Sequence, residues 1–340
     1  MVWQVIGQSR AVSLMRRSLE TGSLAHAYLF IGPAHMGKMT LAINLAQALN
    51  CEATEVPCGE CFSCQKIAAF RHADVQITVL NDETSEENRA KIGVGQNEEI
   101  QHSASLPPFE GKCKVFIIDG AEFLSTGAAN RLLKTLEEPE SNVVFILLTV
   151  DERLLLPTVV SRCQRVELSH VPVNEIEAAL EKNWAVEPEK AGLLARLSHG
   201  CPGWAVSAAI DDSLAQQRTE WLERLIDITA ADGEERFTYA AQLATQFGQN
   251  RGLVYQRLEL WLEWWRDLLL VKAGLPDSIT NIDRLDSLSD MAKGYTLVQI
   301  KAFIQSIRTT GEQLRQNASP RLAIEVLMLD VPEAGKPLEV

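Results

Sequence analysis

The stretch AYLFIGPAHMGKMT, Ala27 to Thr40, decides how the first half of the chain is read. Its five apolar residues, Ala27–Ile31, are too few for a helix and read as a buried strand that stops at Gly32. Gly32, Gly37 and Lys38 then fall at the spacing G-x-x-x-x-G-K, and a helix-like run, Thr40–Leu49, follows. Strand, glycine loop and helix are the setting of a phosphate-binding loop. The glycines let backbone N–H groups curl round phosphate oxygens, the helix N-terminus adds partial positive charge, and Lys38 reaches the terminal phosphates. The next position normally carries a Ser or Thr whose hydroxyl holds Mg²⁺. Here it is Met39, and a thioether is a poor ligand for a hard cation. Thr40 arrives one residue late and, on a helix, points about 100° away. The expectation is an ATP site with damaged magnesium ligation.

Working outward, Val75–Leu80, Val115–Ile118 and Val143–Leu148 are further short apolar runs. Amphipathic stretches alternate with them, among them Gly127–Glu138, which Pro139 stops. Strands joined through helices imply an α/β fold with a parallel sheet. The run Val115–Asp119 supplies the second nucleotide element, with Asp119 placed to orient Mg²⁺ through water. A buried strand that merely ends in Asp is the alternative. The acid expected next, which would polarise an attacking water, is replaced by Gly120, and Glu122 stands two positions further on. The acid–base half of hydrolysis is therefore missing from its usual place. Asn81–Gly111 reads as a polar surface connection with one helix around Asn97–Ser103.

Cys51, Cys58, Cys61 and Cys64 form C-x6-C-x2-C-x2-C directly after the loop helix. Each C-x2-C step can place two thiolates on one tetrahedral centre, and four sulfurs close a structural zinc site with no open position. An iron–sulfur cluster or free thiols are the alternatives. Cys113, Cys163 and Cys201 stand singly and read as packing residues.

The second half changes character. Val173–Ala185 and Glu189–Leu197 suggest a small helical unit ending at Gly200, and Ser213–Leu329 reads as mostly helix. Leu258, Trp261, Leu262, Trp265 and Leu269 make one broad apolar stripe, expected to be the core of a helical bundle. Val331–Val340 reads as a loose tail. With 340 residues, two or three domains of roughly 100–200 residues are expected. Lys and Arg total 32 against 45 Asp and Glu, a net charge of −13, which argues against nucleic-acid binding through a basic surface of the chain's own. A zinc-ribbon nucleic-acid binder is disfavoured on the same ground. No apolar run approaches a transmembrane span and no signal peptide is evident, so a cytoplasmic protein with no membrane partner is expected.

Several segments in order carry a family resemblance: Val5-Ile6-Gly7-Gln8, Leu24–Phe30, the loop, the four cysteines, Val115–Asp119, Leu132-Leu133-Lys134-Thr135-Leu136-Glu137-Glu138-Pro139, Ser161-Arg162-Cys163 and Asn317–Glu325. The chain resembles the AAA+ subunits of the bacterial DNA polymerase III clamp loader over nearly its whole length. That resemblance implies an AAA+ P-loop domain over 1–168 with a zinc module at 51–64, a small helical lid over 169–210, and an all-α collar for oligomerisation over 211–330. It implies a pentameric ring of such subunits, gamma/tau and delta among them, that opens the sliding clamp and places it on primed DNA. Arg162 matches the family's arginine finger, which reaches ATP on a neighbouring subunit, a surface salt bridge being the alternative, and Thr149 matches the position that senses the terminal phosphate. Met39, Gly120, and Trp204 where the lid would carry an arginine all depart from the hydrolysing gamma/tau type and agree with the delta-prime type. A gamma/tau-like ATPase with an atypical loop is the alternative. Ile92–Glu98 lacks the Ile-Arg the family has after Gln, which speaks against strong DNA contact there.

Overall fold

The computed structural model describes residues 3–80, 102–137, 142–316 and 318–335. Ile92–Glu98, most of the expected Asn97–Ser103 helix, the motif's Glu138 and Pro139, Asn317 and the last five residues lie outside them. The chain divides into two compact units, Met1–Val186 with Ser198–Val206, and Glu187–Leu197 with Ser207–Val340.

In the first unit, β1 (Ala27–Ile31), β2 (Val75–Val79), β3 (Lys114–Asp119), β4 (Val143–Thr149) and β5 (Gln164–Glu167) form a parallel sheet in the order β2-β3-β4-β1-β5. The strands alternate between two cores, as a period of two requires. Tyr28, Phe30, Val115, Ile117, Val144 and Ile146 face one side, with Met15 of α1 (Ser9–Glu20) and Leu41 and Leu45 of α2 (Lys38–Asn50). Leu29, Phe116, Ile118, Phe145 and Leu147 face the other. There they meet Leu132 and Leu136 of α4 (Thr126–Glu137) and Val159 and Val160 of α5 (Pro157–Val160), while α3 (Phe62–Ala68) belongs to the cysteine segment. A sheet covered by helices on both faces is what all-parallel pairing demands.

Two features close this unit. Gly7 adopts φ +69°, and a Cβ there would come within 2.3 Å of Val171. Beside it the Gln8 amide donates to the Ser169 carbonyl at 2.8 Å and accepts from the Ser169 N–H. The strand β5 was not expected. Its sequence Gln-Arg-Val-Glu buries Val166 alone, and it exists because β1 offers it an edge to pair with.

The expected 169–210 helical unit is shared between the two units: α6 (Val173–Trp184) lies in the first and α7 (Pro188–Leu197) in the second, and α8 (Pro202–Ile210) runs from one into the other. The rest of the second unit comprises α9 (Asp212–Ala230), α10 (Gly233–Gln249), α11 (Arg251–Lys272), α12 (Leu285–Lys293), α13 (Leu297–Arg315) and α14 (Pro320–Leu329). The tryptophan stripe is core: Trp261 and Trp265 are buried, and α11 also buries Trp264 and Leu268 on a further face, so it runs through the middle of the bundle. The buried Asp267 carboxylate accepts the N–H groups of Thr280 and Asn281 and the Asn281 amide, pinning the loop before α12. Residues 331–335, which read as a loose tail, are fastened: the Val331 carbonyl accepts from Arg236 and the Gly335 N–H donates to Gly294. No helix of the described residues is long and apolar enough to cross a membrane.

Candidate nucleotide and metal sites

The strands β1, β3 and β4 are neighbours that end level, with Ile31 opposite Thr149 and Asp119 opposite Leu148. Their carboxyl ends therefore bring the loop, Asp119 and Thr149 to one place, where ligands of open α/β sheets bind. Gly37 caps α2 at φ +90°. Gly32 passes so close to β5 that a Cβ would sit 2.8 Å from the Leu168 carbonyl.

The loop is closed on itself. The buried Lys38 ammonium donates to the Gly32 carbonyl at 2.6 Å and the Pro33 carbonyl at 2.8 Å. Burial holds its pKa below the ordinary lysine value, with the charges of Asp119 and Glu122 opposing that shift. Burial likewise raises the Asp119 carboxyl, and Lys38 opposes it. Lys38, Asp119 and Glu122 thus form one charge cluster. Met36 is fully buried in the core, Met39 packs half-buried beside it, and Thr40 is exposed. The position expected to carry the magnesium hydroxyl thus packs a thioether against the core. Opposite the loop, the Gly203 N–H at the start of α8 donates to the His35 carbonyl at 2.7 Å, and a Cβ on Gly203 would lie 2.7 Å from that same oxygen. Trp204, half-buried, follows directly. The Thr149 hydroxyl is buried and turned to its own loop, donating to the Asp151 carbonyl and accepting from the Asp151 N–H.

Position 120 is closed to any side chain. Gly120 adopts φ +75°, and a Cβ would come 2.3 Å from the Leu80 carbonyl. An acid after Asp119 cannot be accommodated while β2 ends where it does. Away from the loop, Arg162 follows the turn of α5. Its Nη1 donates to the Thr158 carbonyl at 2.9 Å and its Nη2 to the Glu137 carboxylate at 2.6 Å. Burial pushes the adjacent Cys163 thiol up to about 12, consistent with a packing residue.

The four cysteine sulfurs lie within 4.8 Å of one another. Cys51 and Cys61 are 4.0 Å apart and Cys58 and Cys64 3.9 Å, far beyond a disulfide bond. A tetrahedron with zinc–sulfur bonds of about 2.3 Å has sulfurs about 3.8 Å apart, so the cluster fits a metal ion such as zinc. The Cys61 N–H donates to Cys58 Sγ and the Cys64 N–H to Cys61 Sγ. The N–H groups of Cys61 and Glu60 lower the Cys58 thiol to about 6, whereas burial raises that of Cys64. These thiols and the backbone donors that stabilise thiolate are preassembled.

A family model described as DNA polymerase III, delta subunit, matches residues 7–172. The Bacillus subtilis DNA polymerase III subunit delta' is 27% identical over 96% of this chain and 96% of that protein. This is a relative of the DNA polymerase III clamp-loader subunits, most like delta-prime. The Escherichia coli tau subunit is 30% identical over 90% of this chain, which spans 47% of that longer protein. A solved gamma subunit-related protein from Thermotoga maritima is 19% identical, with a TM-score of 0.46 over 96% of this chain and 99% of that one. The chain itself combines a parallel five-stranded sheet, a loop with phosphate-binding spacing and a helical second half.

Sequence reasoning missed Glu137 as the partner of Arg162 and Gly203 as the partner of the loop. Neither carries a local signal: each bond joins residues far apart in the chain.

Proposed function

We propose that the chain is a delta-prime-like member of the cytoplasmic DNA polymerase III clamp-loader ring, with gamma/tau and delta as neighbours. It helps the ring place the sliding clamp on primed DNA, supplies Arg162 to the ATP of an adjacent subunit, and hydrolyses little or no ATP itself. A guanidinium delivered in this way stabilises charge on the transferring phosphoryl group. As functional parts, the reading takes an AAA+ domain over 1–168, a lid over 169–210 and a collar over 211–330, although the helices of 169–210 fall in both compact units. Four thiolates of Cys51, Cys58, Cys61 and Cys64 hold zinc, whose part is structural because no coordination position is left open. DNA is met through the complex, in keeping with the chain's net charge of −13.

The observation that carries this reading is Gly120, whose surroundings leave no room for the acid that would activate water. Met39, in place of the magnesium-binding hydroxyl, supports it from the phosphate side. Gly32, Gly37, Lys38, Thr40, Asp119 and Thr149 then form a degenerate pocket that holds nucleotide weakly. The test is ATP turnover by the ring reassembled from its full-length subunits. Arg162→Ala lowers turnover and Lys38→Ala leaves it near the unmodified ring. Unchanged turnover with Arg162→Ala sinks the reading.

A second reading, a gamma/tau-like ATPase, rests on the retained Gly32, Gly37 and Lys38 and on a 36% identity to the Salmonella typhimurium tau subunit over 96% of this chain. It requires Mg²⁺-dependent turnover that Lys38→Ala abolishes.

A further inference from the structure

An arginine that must meet a phosphoryl group on another subunit works only if its fork is already aimed, because every torsion left loose dilutes the reactive geometry. Arg162 is aimed by two fixed points. Its Nη1 is tied to the Thr158 carbonyl, four residues back on its own turn, and its Nη2 to the Glu137 carboxylate, which ends α4. The two backbone segments do not drift apart: Leu132 and Leu136 of α4 and Val159 and Val160 of α5 share one buried core against the sheet. A guanidinium has more N–H donors than these two bonds use, so donors remain to meet an anion. The pair itself lies near the surface, with side chains 34% and 49% exposed, where an ion pair adds little to folding stability. Its geometric effect on Arg162 is the larger one.

We propose that Glu137 is the positioning residue of the arginine finger, holding the Arg162 guanidinium in the orientation in which it meets a neighbour's ATP. This rests on the reading of Arg162 as that finger. Glu137 touches no nucleotide; it acts through Arg162, with the Thr158 carbonyl as the second support.

The experiment uses the ring reassembled from full-length subunits, with clamp and primed DNA, comparing Arg162→Ala, Glu137→Ala, Glu137→Gln and the double alanine variant. Loss of a bond to a charged group predicts that Glu137→Ala lowers the kcat of the dependent site about tenfold. KM for ATP stays put, since the lost alignment matters in the transition state. Glu137→Gln keeps an acceptor oxygen and recovers part of the loss. The double variant is no worse than Arg162→Ala alone, and melting of the isolated chain and ring assembly do not change. Full turnover in Glu137→Ala beside a loss in Arg162→Ala overturns the positioning role and leaves the finger standing. Raised turnover in Glu137→Ala means that Glu137 restrains the finger, and also overturns it. A double variant worse than Arg162→Ala shows an independent effect and does the same. Full turnover in Arg162→Ala removes the finger reading, and this inference with it.

Discussion

Gly120 separates what a sequence can say about a site from what only a fold can. The missing acid after Asp119 is legible in one line of residues. Its physical reason is the Leu80 carbonyl 2.3 Å from where a Cβ would stand, and that atom comes from the end of β2, far back in the chain. Restoring the acid therefore does not restore the chemistry. Gly120→Glu is expected to be destabilising by about 1–3 kcal/mol, from the left-handed backbone together with the clash. Thermal unfolding of the isolated chain measures the first effect. Phosphate release by the reassembled ring measures the second, and release above the unmodified level would show that β2 yields and the position is not closed. Lys38 teaches a related lesson: the G-x-x-x-x-G-K spacing was readable, but its ammonium bonded to Gly32 and Pro33 was not.

Among the elements, the cysteine segment and the strap leading into β3 behave as one piece. The Asp74 carboxylate accepts the N–H groups of Phe109, Glu110 and Gly111, and the Asn50 side-chain oxygen accepts those of Lys112 and Cys113. Lys112 donates in turn to the Cys51 carbonyl, beside the first cysteine. Burial alone would raise the Asp74 carboxyl, but the three backbone donors outweigh it and hold the pKa below 3.8. A carboxylate depressed in this way stabilises the fold fully above 3.8 and loses that contribution as pH falls through the folded value. Asp74→Asn is thus expected to cost about 1–3 kcal/mol at neutral pH, from weakened bonds between the buried Asp74 side chain and its three backbone donors. Urea unfolding at a series of pH values should show the gap closing below 3.8; a gap that stays constant would mean the carboxylate charge plays no part. At the metal cluster, Cys61→Ser is expected to lower bound zinc and the melting temperature together, because binding energy at a structural site is folding energy. Metal analysis beside calorimetry checks this, and iron with visible absorption in the unmodified chain would replace zinc. The four-cysteine spacing was legible in sequence, and so were strands β1 to β4, whose apolar runs are dense. The strand β5 was not, since pairing rather than composition makes it, and the Asp74 strap was not, since its donors are backbone groups that sequence does not mark.

At the scale of the whole molecule, the helical second half was legible because α11 carries its tryptophans at helical spacing and buries them. The division into units was not, since α6 and α7 have similar sequence character and fall on different sides of it. Net charge is the other property that belongs to the whole chain, and it bears on DNA. Affinity for a duplex comes largely from lysine and arginine neutralising phosphates, and it falls with salt in proportion to the number neutralised. With 45 acidic residues against 32 basic ones, the chain's long-range field repels a polyanion before any local contact forms. The isolated chain is accordingly expected to bind primed DNA only weakly at about 150 mM salt, with a shallow salt dependence. Fluorescence anisotropy with a labelled primed template across a salt series reads both quantities. Tight binding with a steep slope would mean that a local basic surface overrides the net charge and that the chain itself grips DNA. Weak binding with a shallow slope agrees with the proposed reading, in which DNA is met through the complex rather than gripped by this chain.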